Sequence, residues 1–212
     1  MKDISTCIVR RYTDFEKLHK TLKKEFSNLL SAVIFPQKVF RGNFSRETIA
    51  KRSRAFEQYL THLYSILEVR YSSEFTEFFT GEDYAQGMRS FMEGKYFHAI
   101  TPLERYLPIM EKLYGNSHNH MGEVVCALVV SHARTKSFDI ADTYATLAVD
   151  SLPEFALTVP LLQKLVQIRW SLGRPQSDAN EKLQELKDKG FDVDSRLDLE
   201  QQLCKQLRIK SQ

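Results

Sequence analysis

Three sets of residues have the right type to hold a small polyanion. Arg10-Arg11-Tyr12 follow directly on the apolar pair Ile8-Val9. Lys38 follows Phe35-Pro36-Gln37, and Arg52 lies one helical turn before Phe56. A guanidinium suits a phosphate because its planar fork donates two parallel hydrogen bonds. The adjacent tyrosine offers a flat face for a sugar-like ring. Other chemistries lack their residues. There is no Gly-rich phosphate loop, no GxSxG and no HExxH. His118-Asn119-His120 has no neighbouring cysteine or acid and reads as solvated rather than as a metal site. The scattered acids form no evident catalytic pair, so neither an enzyme, a metal nor a cofactor is expected. Single-stranded nucleic acid would also suit basic and aromatic residues, but the basic excess is small and no RNA-module signature is present.

The elements that must place these residues follow from the local pattern. Thr6–Arg11 reads as a strand, because Ile8 and Val9 are β-branched. Thr13 followed by Glu16 has the form of a capping box, which predicts a helix over Thr13–Phe26. Phe15, Leu18, Leu22 and Phe26 make its apolar stripe. The arginine pair is therefore expected at a strand-to-helix junction, where backbone N–H groups also favour an anion. Ser27–Phe44 reads as irregular. Pro36 restricts Phe35 to an extended conformation, so Lys38 projects from a stiffened loop. Val39 and Phe40 follow it, either packing under the loop or dipping into a membrane interface. Ser45 caps a second helix, whose apolar side is Ile49, Phe56, Tyr59, Leu60, Leu63 and Leu67. Arg52 sits near that buried side and wants a partner, either a core carboxylate or a ligand. Ser73–Phe79 is a short aromatic helix that closes the first part.

Beyond the junction at Thr80–Asp83 the pattern is helical. Helices are predicted near Tyr84–Glu93, Tyr96–Tyr114, His120–Thr135, Phe138–Ser151, Phe155–Leu172, Ser177–Lys189 and Ser195–Ile209. Pro102 and Pro108 should kink or split the second of these. Trp170 is expected in the core. Turn markers at Gly94-Lys95, Lys136-Ser137 and Gly173-Arg174 give a loose helix-hairpin period.

Charge divides unevenly between the two parts. Residues 1–79 hold 14 Lys/Arg and 9 Asp/Glu, a net +5, and residues 80–212 hold 16 and 18, a net −2. The basic half carries the arginine pair, and an anionic partner is favoured there over the alternative of a solvated basic face only once the motifs are considered. No apolar run approaches the ~18 residues that span a bilayer, and no signal-peptide-like stretch opens the chain. Membrane contact is expected to be peripheral. Cys7, Cys126 and Cys204 are far apart and read as reduced, cytosolic thiols.

Arg10-Arg11-Tyr12-Thr13-Asp14-Phe15 resembles the signature of the phosphoinositide-binding PX domain. Phe35-Pro36-Gln37-Lys38 and Arg52-Ser53-Arg54-Ala55-Phe56-Glu57-Gln58-Tyr59 resemble its proline-rich loop and later helix, in the right order. The remainder resembles the TPR-like B domain that follows the PX domain in some sorting nexins. The resemblance implies an α+β fold: residues 1–79 a PX-like domain with a small partial antiparallel sheet, residues 80–212 an all-α TPR-like domain of helical hairpins. The family pattern has two strands before Thr6 that this chain has no residues to supply, so an incomplete sheet is expected. By resemblance, Arg11 would hold a 3-phosphate with Arg10 in support, and Tyr12 would stack under the inositol ring. Lys38 would meet the 1-phosphate and Arg52 the 4- and 5-hydroxyls. Val39 and Phe40 would insert into the bilayer. The implied function is a peripheral adaptor of endosomal protein sorting. It would sit on the cytoplasmic face of early endosomes through phosphatidylinositol 3-phosphate, with a 4,5-bisphosphate ligand also open. Its helical domain would bind protein cargo or an adaptor. The alternative is a protein-interaction scaffold that reads no lipid because its first domain is incomplete.

Overall fold

A computed structural model describes residues 8–37, 46–115, 120–152, 154–194 and 197–210. The chain divides into two compact units, one ending at Gly81 and the other running from Glu82 to the C-terminus.

The first unit corrects the expected α+β fold. Among the described residues there is no strand and no sheet; Ile8–Arg11 is coil and leads straight into a helix. Two β-branched residues favour an extended backbone, but a strand exists only where another strand takes up its N–H and C=O groups. Thr6, Cys7, Lys38, Val39, Phe40 and Ser45 lie outside the described residues. The unit consists of α1 (Tyr12–Glu25), α2 (Arg46–Ser65), α3 (Leu67–Arg70) and α4 (Ser73–Thr80). The helix start is also corrected. The N-cap is Arg11, not Thr13, and the Asp14 carboxylate at the third helical position accepts from the Arg11 N–H at 2.7 Å. Asp14 wins over Glu16 because it stands three residues past the cap, within reach of that N–H. The second helix ends at Ser65, and Leu67 starts a separate turn. Leu18, Leu22, Leu30, Leu63, Val69 and Phe75 form the buried core. Ser72 caps α4, its hydroxyl accepting from the Phe75 N–H at 3.3 Å.

The second unit holds α5 (Asp83–Met92), α6 (Tyr96–Tyr114), α7 (Met121–Arg134), α8 (Phe138–Ser151), α9 (Thr158–Ser171), α10 (Ser177–Asp188) and α11 (Leu199–Lys210). Each helix from α5 to α10 packs on the next, except that the last, α11, returns to α7 and α9. Helix α7 is the centre: every residue from Met121 to His132 is buried. A helix apolar on all faces must be covered on all faces. Its one buried carboxylate, Glu123, is held by the Tyr84 hydroxyl at 3.1 Å and the Gln206 amide at 2.8 Å. Helix α6 runs unbroken through Pro102 and Pro108 instead of splitting. Pro102 is buried there, and apolar contact offsets part of the lost hydrogen bonding. Trp170 is the other correction: it is 76% exposed rather than in the core. Helix α9 turns Leu161, Leu162, Leu165 and Ile168 inward, and Trp170 falls outside that stripe.

The ends of α5, α7 and α9 share one construction, which recurs at Gly190 after α10. The N–H groups of Lys95, Ser137 and Arg174 reach back to the carbonyls of Ser90, His132 and Arg169, five residues earlier. Those of Gly94, Lys136 and Gly173 bond the carbonyls three residues earlier. This is the Schellman motif, whose penultimate residue takes a positive φ. Gly94 (70°) and Gly173 (66°) adopt it freely, whereas Lys136 holds 63° against the steric preference of its Cβ.

Lys136→Gly should therefore raise the stability of this unit by about 1 kcal/mol, read as a higher urea midpoint with unchanged slope. In the first unit His19 is stacked on Phe35 and hydrogen-bonded through Nδ1 to the Tyr59 hydroxyl at 3.0 Å. Burial, and secondarily the Lys23 ammonium, hold its pKa below the usual imidazole value. A group whose folded pKa is depressed binds fewer protons folded than unfolded. Its contribution is present above the unfolded pKa near 6.5 and is lost as pH falls through the folded value. The melting temperature should drop as pH falls from 7.5 to 5, and His19→Gln should make that drop smaller.

Candidate functional site

The N-terminal end of α1, the Phe35-Pro36 segment and one face of α2 meet around an aromatic cluster. Phe15 and Phe56 lie with ring centroids 4.0 Å apart. Tyr12 presents its ring edge-on to Phe35 and Phe56, at 5.7 and 5.9 Å. The Tyr12 hydroxyl donates to the Pro36 carbonyl at 3.3 Å. Phe35 also packs on His19 and Tyr59. The proline segment is thus fixed against α1 by ring contacts and one hydrogen bond.

A cavity of about 600 Å³ opens at this cluster, lined by Arg10, Tyr12 and Arg52 together with apolar residues of α1 and α2. The Arg52 guanidinium lies over the Tyr12 ring, 5.3 Å from its centroid. That is a cation–π distance, and it holds the cation at the cavity wall. The cavity thus combines cationic groups, an aromatic face and an apolar floor, a set that fits a ring bearing phosphates.

The sequence-predicted residues separate here. Tyr12, Arg52 and Arg10 share the cavity. The donors of Arg10, however, turn towards the backbone: Nε donates to the Phe78 carbonyl at 2.6 Å, Nη2 to Phe79 at 3.2 Å and Nη1 to Val9 at 3.0 Å. Its guanidinium also sits 5.6 Å from the Phe78 ring. Arg10 therefore closes the C-terminal end of α4, where helix carbonyls lack partners. The Arg11 side chain is exposed and does not line the cavity. Its backbone N–H, expected to be available to an anion, is taken by Asp14. Lys38 and the insertion residues Val39 and Phe40 lie outside the described residues.

Other residues enter the site that the sequence reading did not single out. Ser53 and Glu57 line the cavity, and Glu57 is the carboxylate among the described wall residues. Their spacing gave the signal: positions 52, 53, 56 and 57 fall on adjoining rows of one helix face. Ile34 is 87% exposed immediately before Phe35-Pro36. Among the described residues no cluster of three His, Cys, Asp or Glu side chains is arranged to hold a metal. His120 instead stacks on Tyr84, with centroids 4.6 Å apart. Cys126 is buried and Cys204 half-buried, both as free thiols. No helix among the described residues is long and apolar enough to cross a membrane.

Comparison with known proteins bears on this geometry. Residues 2–82 match the family model of the PX domain. Human sorting nexin-21 is 31% identical over 188 residues, 87% of this chain and 50% of its own length. Bovine sorting nexin-20 is 31% identical over 180 residues, 83% of this chain and 57% of its own length. The chain spans about half the length of these curated relatives. The human kinesin-like protein KIF16B is 37% identical over 65 residues, 31% of this chain and 5% of its own. No solved structure matches the chain. With the arginine-tyrosine turn, the proline segment and the α2 arginine brought to one region, the chain is a sorting nexin with a PX domain over residues 2–82.

Proposed function

We propose that the chain is a peripheral membrane adaptor of endosomal protein sorting. In this reading its PX domain recognises a phosphoinositide head group, with phosphatidylinositol 3-phosphate as the preferred ligand, at the early endosome. The observation that carries the reading is the cavity where Arg52 lies over Tyr12 beside an apolar floor. The head group would enter this cavity with its ring against Tyr12. Arg52 would bond ring hydroxyls, and Arg11, one residue before Tyr12, would swing its exposed side chain to the 3-phosphate. Lys38 follows Pro36 by two residues, and Pro36 is hydrogen-bonded to Tyr12, which supports placing Lys38 at the 1-phosphate. Arg10 would support the site by holding the turn rather than by touching lipid. Ile34, exposed on the same segment, would join Val39 and Phe40 in dipping into the bilayer. The net +5 of residues 1–79 favours an anionic surface. A head-group contact and an apolar anchor, each weak alone, add to a useful residence time. The second unit would carry a protein cargo or adaptor to that membrane.

Sedimentation with vesicles tests this. The chain should pellet with phosphatidylcholine vesicles containing phosphatidylinositol 3-phosphate and not with vesicles lacking it. Equal pelleting in both cases defeats the lipid reading and leaves a scaffold that binds only protein. Arg11→Ala should abolish the specific signal. Arg52→Ala should weaken it about tenfold or more, the scale of one lost charge-assisted contact. Arg10→Ala has a different expected signature. It leaves α4 carbonyls unpaired, so the melting temperature should fall along with vesicle binding, and by more than in Arg52→Ala.

A further inference from the structure

The second unit has an open cavity of about 440 Å³ between α6 and α8, floored by the central helix α7. Its floor and lip are apolar, with Val125 beneath and Ile140 and Leu147 on the α8 side. Both lip residues are large apolar side chains left exposed, at 45% and 38%. They stand seven residues apart on one helix, two turns or about 10.5 Å along its axis. Among the described residues the charged side chains that line this groove are Glu104, Glu111 and Asp139, with no lysine, arginine or histidine in the lining. Part of that charge is engaged. Arg174 pairs with Asp139 at 2.7 Å, and Glu104 meets His132 and the Tyr144 hydroxyl. Glu111 has no ion pair among the described residues.

From this combination we infer that the α6–α8 groove docks a short amphipathic helix of a partner protein, one with an apolar face flanked by lysine or arginine. The two exposed lip residues, two turns apart, match the spacing of anchors on such a helix. The acidic rim selects its charge, since like charges at a rim repel and opposite charges speed encounter. An acidic helix with the same apolar face is rejected by Glu104 and Glu111. The inference gives the occupant of the protein-binding half in the reading above, and it names a seat independent of the lipid cavity.

The test uses the full chain and two labelled 14-residue peptides in fluorescence anisotropy. One carries leucine at helical spacing with lysine elsewhere, and the other replaces every lysine by glutamate. The lysine peptide should bind at micromolar concentration, and the glutamate peptide at least tenfold more weakly. Leu147→Asp and, separately, Glu111→Lys should each weaken the lysine peptide about tenfold. Circular dichroism of both variants should match the parent, and so should their pelleting with phosphoinositide vesicles. Ile140→Asp provides a second lip variant should Leu147→Asp fail to fold. Equal binding of the two peptides, binding indifferent to every groove variant, or no binding at all overturns the inference. None of these results affects the vesicle assay, so failure here is distinct from failure of the lipid reading.

Discussion

Each helix leaves carbonyls without partners at its C-terminal end, and in this chain those ends govern the architecture. In the first unit the carbonyls of Phe78 and Phe79 at the end of α4 are met by the Arg10 guanidinium. That contact joins residues 68 and 69 apart in sequence. It is charge-assisted and half-buried, and so stronger than an ordinary backbone bond. It also fixes where Arg11 and Tyr12 begin α1. In the second unit the same need is met locally, by backbone that turns through a positive φ at Gly94, Lys136 and Gly173. The turn of fixed geometry after α5, α7 and α9 sends the next helix back along its neighbour.

What the first unit builds on that contact is an aromatic platform. Tyr12, Phe35 and Phe56 meet one another edge to face, Phe15 lies tilted against Phe56, and the platform carries Arg52 over Tyr12. The two arginines that line this cavity are thus held in different ways. Arg10 spends its donors on the fold. Arg52 lies on an aromatic face at the cavity wall. Helix carbonyls bind a fork of N–H donors tightly, and a ring face adds a cation–π attraction.

In the second unit the controlling fact is that α7 has no polar face. Its burial recruits α5, α6, α8 and α11 around it. Buried polar groups in this surround come in sets. Glu123 takes hydrogen bonds from Tyr84 and Gln206, and Arg169 binds Asp142, Asp178 and Thr146 across α8, α9 and α10. Such sets fix which helix lies beside which, because a slipped partner would leave a buried charge alone. The groove between α6 and α8 is a place where the cover over α7 thins and apolar side chains meet water.

Helix positions were legible in the sequence because they depend on local period and on glycine at helix ends. The predicted Tyr96–Tyr114 and Phe138–Ser151 match the observed bounds of α6 and α8. The aromatic-and-arginine motif was legible for the same reason, since residue type and order along the chain carry it. Three features were decided only in three dimensions. Ile8–Arg11 has the composition of a strand, yet the described residues offer it no partner, and pairing is not written in a single segment. Trp170 looked apolar enough for the core, but the direction of the α9 stripe left it outside. Arg10 and Arg11 are the same residue type side by side, and only the approach of α4 gave one of them to the fold. The sequence by itself determined where the helical periods run and which positions carry a cationic or aromatic side chain, because those are properties of neighbours along the chain. The tertiary structure decided which of those residues stand together, because that depends on partners far away in sequence.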